Sequence, residues 1–316
     1  QGKDWCVPKP AAGKVFSQHY AKQNPRFTSA HITVPEELSV IDAQQLLSQS
    51  GLYAYVERDI EISNTQSSWN EITPNDESFS LQTFFSDNSE QSPTASSVLR
   101  MWRMLQSPQV VSHVYVLDAG FVLHDDISYA DGFNFVTMNE GEVRSPGFLE
   151  KDFGDGSCKN SHGSGVAGVI AASIDNSLYI AGINGAVALH PLRVMNCGSG
   201  LMSDAAAALD WLSGDTLDNL PAFNGKPGVI NLSLGGKVGE QSCPFYLQNA
   251  IDKATAKGFT IVVAAGNQSD DAKNYIPAKC NNVITVGAAT AGDDYNPADI
   301  ASFSNYGEGI DIMAMG

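Results

Sequence analysis

Apolar residues occur along this chain in short continuous runs separated by polar or glycine-rich stretches. Residues 110–117, 186–194, 229–234, 259–265 and 283–288 are rich in Val, Ile, Leu and Ala with little alternation. That is the pattern of strands buried on both faces of a parallel sheet. Residues 179–182 give further short strand material. Helical patterns fall between the runs. Residues 203–212 carry a Ser at the start and Asp204 in the first turn, and 246–257 stop at Gly258. Residues 160–172 differ: they hold only small and aliphatic side chains around His162, so the helix they predict is buried on most sides. Asn160 or Ser161 would cap it. Strands alternating with helices predict an α/β domain with a mostly parallel central sheet, its site at the carboxyl ends of the strands.

Residues 1–75 read differently. Pro8, Pro10 and Pro25 break up the start; residues 35–47 predict an amphipathic helix, and 52–62 alternate like a strand. Residues 63–97, rich in Ser, Asn, Thr and Gln, read as a surface-hugging or linker segment. The expected division is an N-terminal extension, 1–75, and a domain, 76–316.

The 316 residues, 43% hydrophobic, suit one large α/β domain plus that extension. No apolar run is long enough to span a membrane. A formal charge of −17 argues against nucleic acid or anionic lipid as partner. Cys6, Cys158, Cys197, Cys243 and Cys280 show no C-x-x-C spacing, which disfavours zinc, and their scatter suits disulfides in a secreted or periplasmic protein. Five is odd, so one cysteine lacks a partner in this chain. The start, Gln1-Gly2-Lys3-Asp4-Trp5-Cys6, lacks the basic and apolar regions of a signal peptide, so any such segment has been removed.

Gly163-Ser164-Gly165-Val166-Ala167-Gly168 spells G-x-G-x-x-G, but a polar loop precedes it where a dinucleotide fingerprint needs a strand. A nicotinamide-binding reading is rejected on that ground. Three polar residues do stand where apolar elements end: Asp118, His162 and Asn267. An Asp that orients an imidazole, and a side-chain amide that donates to an oxyanion, make a catalytic division of labour.

Five segments in order now carry a resemblance. They are Val116-Leu117-Asp118-Ala119-Gly120, His162-Gly163-Ser164-Gly165-Val166-Ala167-Gly168, residues 229–236, Val263-Ala264-Ala265-Gly266-Asn267 and Ala301-Ser302-Phe303-Ser304-Asn305-Tyr306-Gly307. From about residue 76 onwards the chain resembles the subtilisin-like serine proteases. The resemblance implies a three-layer subtilisin-like α/β fold and peptide-bond hydrolysis with no cofactor needed for the chemistry. It makes Asp118 the orienting carboxylate, His162 the general base and then acid, and Asn267 the oxyanion donor. Ser233, Leu234 and Gly235 would form one wall of the S1 pocket and Ala264, Ala265 and Gly266 the other, small walls that suit an apolar or broad P1 preference. Gly198, Ser199 and Gly200 would pair with an extended protein or peptide substrate.

Departures from the family pattern accompany it. Ala119 replaces a Thr, Ser164 a Thr and Gly165 a second His. The family's nucleophilic Ser follows the Ala301–Gly307 motif, and the chain stops at Gly316 before such a segment. The fold is therefore expected to be incomplete at its C-terminus, with the Ser on a C-terminal fragment of the same protein. The alternative is an inactive peptide-binding or interaction module. By resemblance, Cys197 would bridge Cys243, and Cys280 would pair with a Cys beyond the nucleophile, leaving Cys6 and Cys158 as a third pair. Residues 31–62 loosely resemble the end of an inhibitory propeptide, and Asp126 resembles a structural calcium ligand of some members.

Overall fold

A computed structural model of the chain describes residues 17–24, 27–34, 38–51, 56, 73–86, 95–104, 111–137, 142–149, 158–290 and 299–316. Two compact units emerge, Gln1–Ser68 and Trp69–Gly316. In the first, β1 (Ser17–Asn24) pairs antiparallel with β2 (Phe27–Thr33), and α1 (Val40–Gln49) follows. The helix begins after Ser39, whose Oγ accepts the Asp42 N–H at 3.1 Å, so it starts later than the 35–47 pattern predicts. The strand expected at 52–62 lies outside the described residues except for Val56.

The second unit opens with α2 (Val98–Met104) and β3 (Ser112–Asp118), then β4 (Phe133–Asn134), β5 (Ser145–Pro146) and α3 (His162–Ala171). Next come β6 (Val187–Arg193), β7 (Met195–Asn196), β8 (Ser199–Gly200), α4 (Met202–Leu212), β9 (Val229–Leu232) and β10 (Gly236–Lys237). The order closes with α5 (Phe245–Ala256), β11 (Thr260–Ala264), β12 (Tyr275–Ile276), β13 (Ile284–Ala289) and β14 (Ile312–Met315). Eight strands form one sheet in the order β14-β13-β11-β9-β3-β6-β4-β5, parallel throughout except the β4–β5 edge. Alternate residues of β3 feed opposite faces. Tyr115 and Leu117 pack with Ala208, Leu209 and Leu212 of α4 and Leu247, Ala250 and Ile251 of α5, whereas Val114 and Val116 pack with Ala167 of α3. Helices on both faces of a parallel sheet give the expected three layers.

Three local expectations are corrected. Residues 179–182 form no strand. Side chains take the central polar groups: Ile180 N–H goes to Asp126, and Ala181 N–H to Gln82, whose amide returns to Ala181 O at 2.9 Å. Tyr179 O and Gly182 N–H bond the backbone of Ser78 and Ala172. The described part of 63–97 is no linker, because Phe85 is buried and packs with Val98, Trp102 and Ala181. Ser203 does not cap α4. That helix starts one residue earlier, and Asp204, buried inside its first turn, accepts from Thr137 N and Oγ1 at 3.0 and 2.7 Å.

The disulfides also differ. Cys158 pairs with Cys197 and Cys243 with Cys280, at Cα separations of 5.4 and 5.2 Å, inside the range a disulfide requires. The Cys197–Cys243 pairing and a Cys280 bridge to a later Cys are therefore overturned, as is Cys6–Cys158. The reason is topological: Cys197 lies in the β7–β8 turn beside the loop entering α3, while Cys243 precedes α5 and meets Cys280 on the core. The odd cysteine is Cys6, which lies outside the described residues. In the chain-entropy model each bridge, closing a loop of 39 or 37 residues, stabilises the fold by about 4 kcal/mol.

His190 of β6 stacks on Tyr115, and its Nε2 meets Nδ1 of His113 of β3 at 3.1 Å. Burial pushes the His190 pKa down, the His113 charge adds to this, and a bond to Asp131 O opposes it. With the folded value depressed, stability present above pH 6.5 is lost as the pH falls through the folded value. Melting curves should thus show a smaller loss of Tm between pH 7.5 and about 5.5 in His190→Gln than in the parent; an unchanged slope would show that His190 does not titrate on unfolding.

Candidate active site

Asp118, the last residue of β3, has no solvent exposure; His162 is the first residue of α3. The two meet with His162 Nδ1 2.9 and 3.0 Å from the carboxylate oxygens. Asp118 Oδ1 also accepts the Ala119 N–H at 2.7 Å, and Ala119 O accepts the Gly163 N–H at 2.7 Å. Strand exit and helix entry are thereby locked together. A β-carbon on Gly163 would lie 2.5 Å from Ala119 O and 2.9 Å from the Phe121 ring, so the close approach needs glycine. Ser164 Oγ, buried, accepts the Val122 N–H at 2.9 Å and bonds Tyr129 Oη at 3.1 Å. The helix entry is satisfied by Asn160, whose Oδ1 accepts the His162 N–H at 2.9 Å, rather than by a Ser161 side-chain cap.

The hydrogen bond to Asp118 raises the His162 pKa above its ordinary 6.5 and the carboxylate charge adds to it, against partial burial. With Nδ1–H held by Asp118, Nε2 is the free acceptor, the tautomer a general base requires. The ring is 49% exposed and lines a cavity of about 1030 Å³ with Asn160, Val166, Val169, Asn231 and Ser233.

Asn267 is exposed just beyond β11. Its turn is built by Asn305, which is fully buried. Asn305 Nδ2 donates to Ala265 O at 2.8 Å, and its Oδ1 accepts from Gln268 N and Asp270 N at 3.0 and 3.1 Å. Gly266 sits at φ +107 with the Asn305 amide 2.4 Å from where a β-carbon would be. In the sequence Asn305 is marked only as one residue of the Ala301–Gly307 motif, a lone Asn amid Phe303 and Tyr306. β9 and β11 run in register, which brings Ser233 beside Ala264, Ala265, Gly266 and Asn267 around a cavity of about 280 Å³. Leu234 and Gly235 face Gly198, Ser199 and Gly200 across another of about 270 Å³. Asn231 and Ser233 border both the His162 cavity and the Asn267 cavity, so the sites join along the carboxyl ends of the strands.

Asp126 does not join them. It is buried, and its oxygens receive the Asn176 amide at 2.8 Å and the Ile180 N–H at 3.3 Å. These bonds, with the Ser173 N–H on its backbone carbonyl, make the Asp126 residue the anchor of the 173–180 loop. Among the described residues no group of three or more His, Cys, Asp or Glu is placed to hold a metal ion.

The subtilase family model matches residues 112–316, most of the chain, and the chain belongs to that family. It is 34% identical to an extracellular protease of Xanthomonas campestris pv. campestris over 78% of this chain and 43% of that protein. To an extracellular serine proteinase of Thermus sp. it is 38% identical, over 65% of this chain and 42% of that one. The chain thus spans less than half the length of these two relatives. A solved protease of Pseudoalteromonas arctica is similar with a TM-score of 0.60 and 31% identity, covering 78% of this chain and 73% of that one.

Asp118→Asn removes the charge that favours imidazolium. In carbon-13 NMR of labelled histidine, the His162 titration should move down towards 6.5 or below; a midpoint that stays put would show that Asp118 does not set it.

Proposed function

We propose that the chain is most of the catalytic domain of an exported subtilisin-type serine endopeptidase. The observation that carries this is the bond between a fully buried Asp118 and Nδ1 of a half-exposed His162, at the carboxyl end of a central parallel strand. Asp118 orients the ring and stabilises its charged form; His162 takes a proton from the nucleophile and returns it to the leaving amine; Asn267 donates to the tetrahedral oxyanion. The substrate is a protein or peptide whose extended backbone pairs with Gly198–Gly200, its P1 side chain between Ser233–Gly235 and Ala264–Gly266. Small residues along both walls support an apolar or broad P1 preference. Residues 1–75 are read as an extension with a propeptide-like end. Relatives named as extracellular proteases, and two disulfides, support export. No described helix is long and apolar enough to cross a membrane.

The nucleophile is assigned to a Ser C-terminal to Gly316. Among the described residues no hydroxyl is hydrogen-bonded to His162 Nε2. The cavity in front of it is walled by Val166, Val169 and Ile170, an apolar face that a further segment of the domain would cover.

A serine-directed fluorophosphonate, applied to the full encoded protein, should label a Ser downstream of Gly316. His162→Ala should abolish labelling and cut kcat by about 10⁶, the size such a loss has in a subtilisin. Asn267→Leu should lower kcat by about 10²–10³, again the cost known for such a donor in a subtilisin. No labelling of the full protein, with peptide binding retained, would establish the inactive module instead.

A further inference from the structure

Asn160 touches both halves of the site. Its Oδ1 accepts the His162 N–H at 2.9 Å. Its Nδ2 lies against the substrate edge: a β-carbon on Gly198 would be 2.4 Å from that nitrogen. Its carbonyl lies over the backbone that follows Asp118, 1.9 Å from where a Gly120 β-carbon would stand. Two residues upstream, Cys158 is buried and bridged to Cys197, the residue before Gly198. Cys197 and Gly198 both hold left-handed backbone, φ +46 and +87, as the chain turns into β8. A residue other than glycine keeps that conformation where its surroundings impose it. The loop entering α3 is therefore tied covalently to the substrate edge, with Asn160 filling the space between. Cys243–Cys280 has no such neighbours: Cys280 packs in the α4–α5 core, and neither residue lines the His162 cavity.

We propose that Asn160 is a positioning residue, held by the Cys158–Cys197 bridge, that fixes where His162 stands relative to the Gly198–Gly200 edge. Each half of its amide has a separate task. The oxygen sets the first turn of α3, and so the angle at which His162 meets Asp118. The nitrogen side keeps the β7–β8 turn at the distance an extended substrate needs. Displacement of a reacting group by about 1 Å costs on the order of 10²-fold in rate, so a residue that touches no reacting atom can still govern turnover.

The kinetic arm of the test rests on the protease reading; the spectroscopic arm does not. Both use the full encoded protein. Asn160→Ala is expected to lower kcat/KM by about 10–100-fold and to move the His162 titration down, with Tm nearly unchanged. Asn160→Ser, whose hydroxyl can still take the His162 N–H but falls short of Gly198, is expected to restore the titration and kcat while KM stays raised. The double variant Cys158→Ala/Cys197→Ala should reproduce the Asn160→Ala kinetics and titration. Cys243→Ala/Cys280→Ala should lower Tm yet leave kcat, KM and the titration as in the parent below its melting range. An unchanged His162 titration and unchanged kcat/KM in Asn160→Ala would overturn the proposal. So would equal effects on the titration from the two cysteine pairs, which would reduce the bridge to a general stabiliser. If the parent protein itself cleaves no peptide, the protease reading fails, and the His162 titration alone decides whether Asn160 positions the ring.

Discussion

A carboxylate with no solvent exposure at the end of a central strand is costly unless its lone pairs are engaged. Asp118 meets that condition with His162 Nδ1 and the Ala119 N–H. Much of the local architecture follows from the need to bring those donors in. The helix must enter directly over the strand exit, so its first turn is small: Gly163 passes within bonding distance of Ala119 O, and Ser164 reaches Val122. Ala119, where the family pattern has Thr, leaves the pair intact because its contribution here comes from the backbone. Gly165 lies on the exposed side of α3 with open space where a side chain would be, so the absence of a second His does not disturb the Asp118–His162 bond.

The residues of the candidate site stand out in the sequence because they sit at the ends of long, strongly patterned elements. Asp118 closes a continuous apolar run, His162 opens a helix without charges, and Asn267 follows β11. Buried parallel strands leave few polar positions, and those that remain stand out. Disulfide pairing could not be read in the same way, since spacing alone does not determine connectivity; it depends on which loops meet once the sheet is formed. The apolar run at 179–182 misled for a similar reason: Asp126 and Gln82, distant in sequence, supply the hydrogen bonds that a ladder would otherwise have provided. Short strands such as β4, β5 and β14, two to four residues long, carry too few positions to show a period.

The composition of α3 bears on the functional reading as well. A helix of Gly, Ala, Ser, Val and Ile gains little by facing water, yet Val169 is 42% exposed and shares its cavity with His162. On its other side Ala167 packs fully against Val114 and Val116. The exposed stripe and the free Nε2 belong to one cavity, so whatever covers the stripe also stands where a nucleophile must. An extended peptide on the Gly198–Gly200 edge pairs by its backbone and presents alternate side chains. It is a poor cover for a stripe on a helix, which favours a packed segment of the domain in that place.

Two side-chain amides, Asn160 and Asn305, adjoin the candidate site residues His162 and Asn267. Neither is charged, and Asn305 bonds through both ends of its amide. Asn305 bonds Ala265, Gln268 and Asp270 and so shapes the turn that presents Asn267. Asn160 accepts the His162 N–H through its oxygen, and its nitrogen packs against Gly198 in the β7–β8 turn. An amide suits this task better than a carboxylate or an ammonium group. It supplies a donor and an acceptor in one plane, and it adds no field beside a pair whose proton affinity is set by Asp118. A charged group in either place would shift the imidazole on its own account. The site thus keeps its one buried charge for the base and builds its geometry from neutral dipoles.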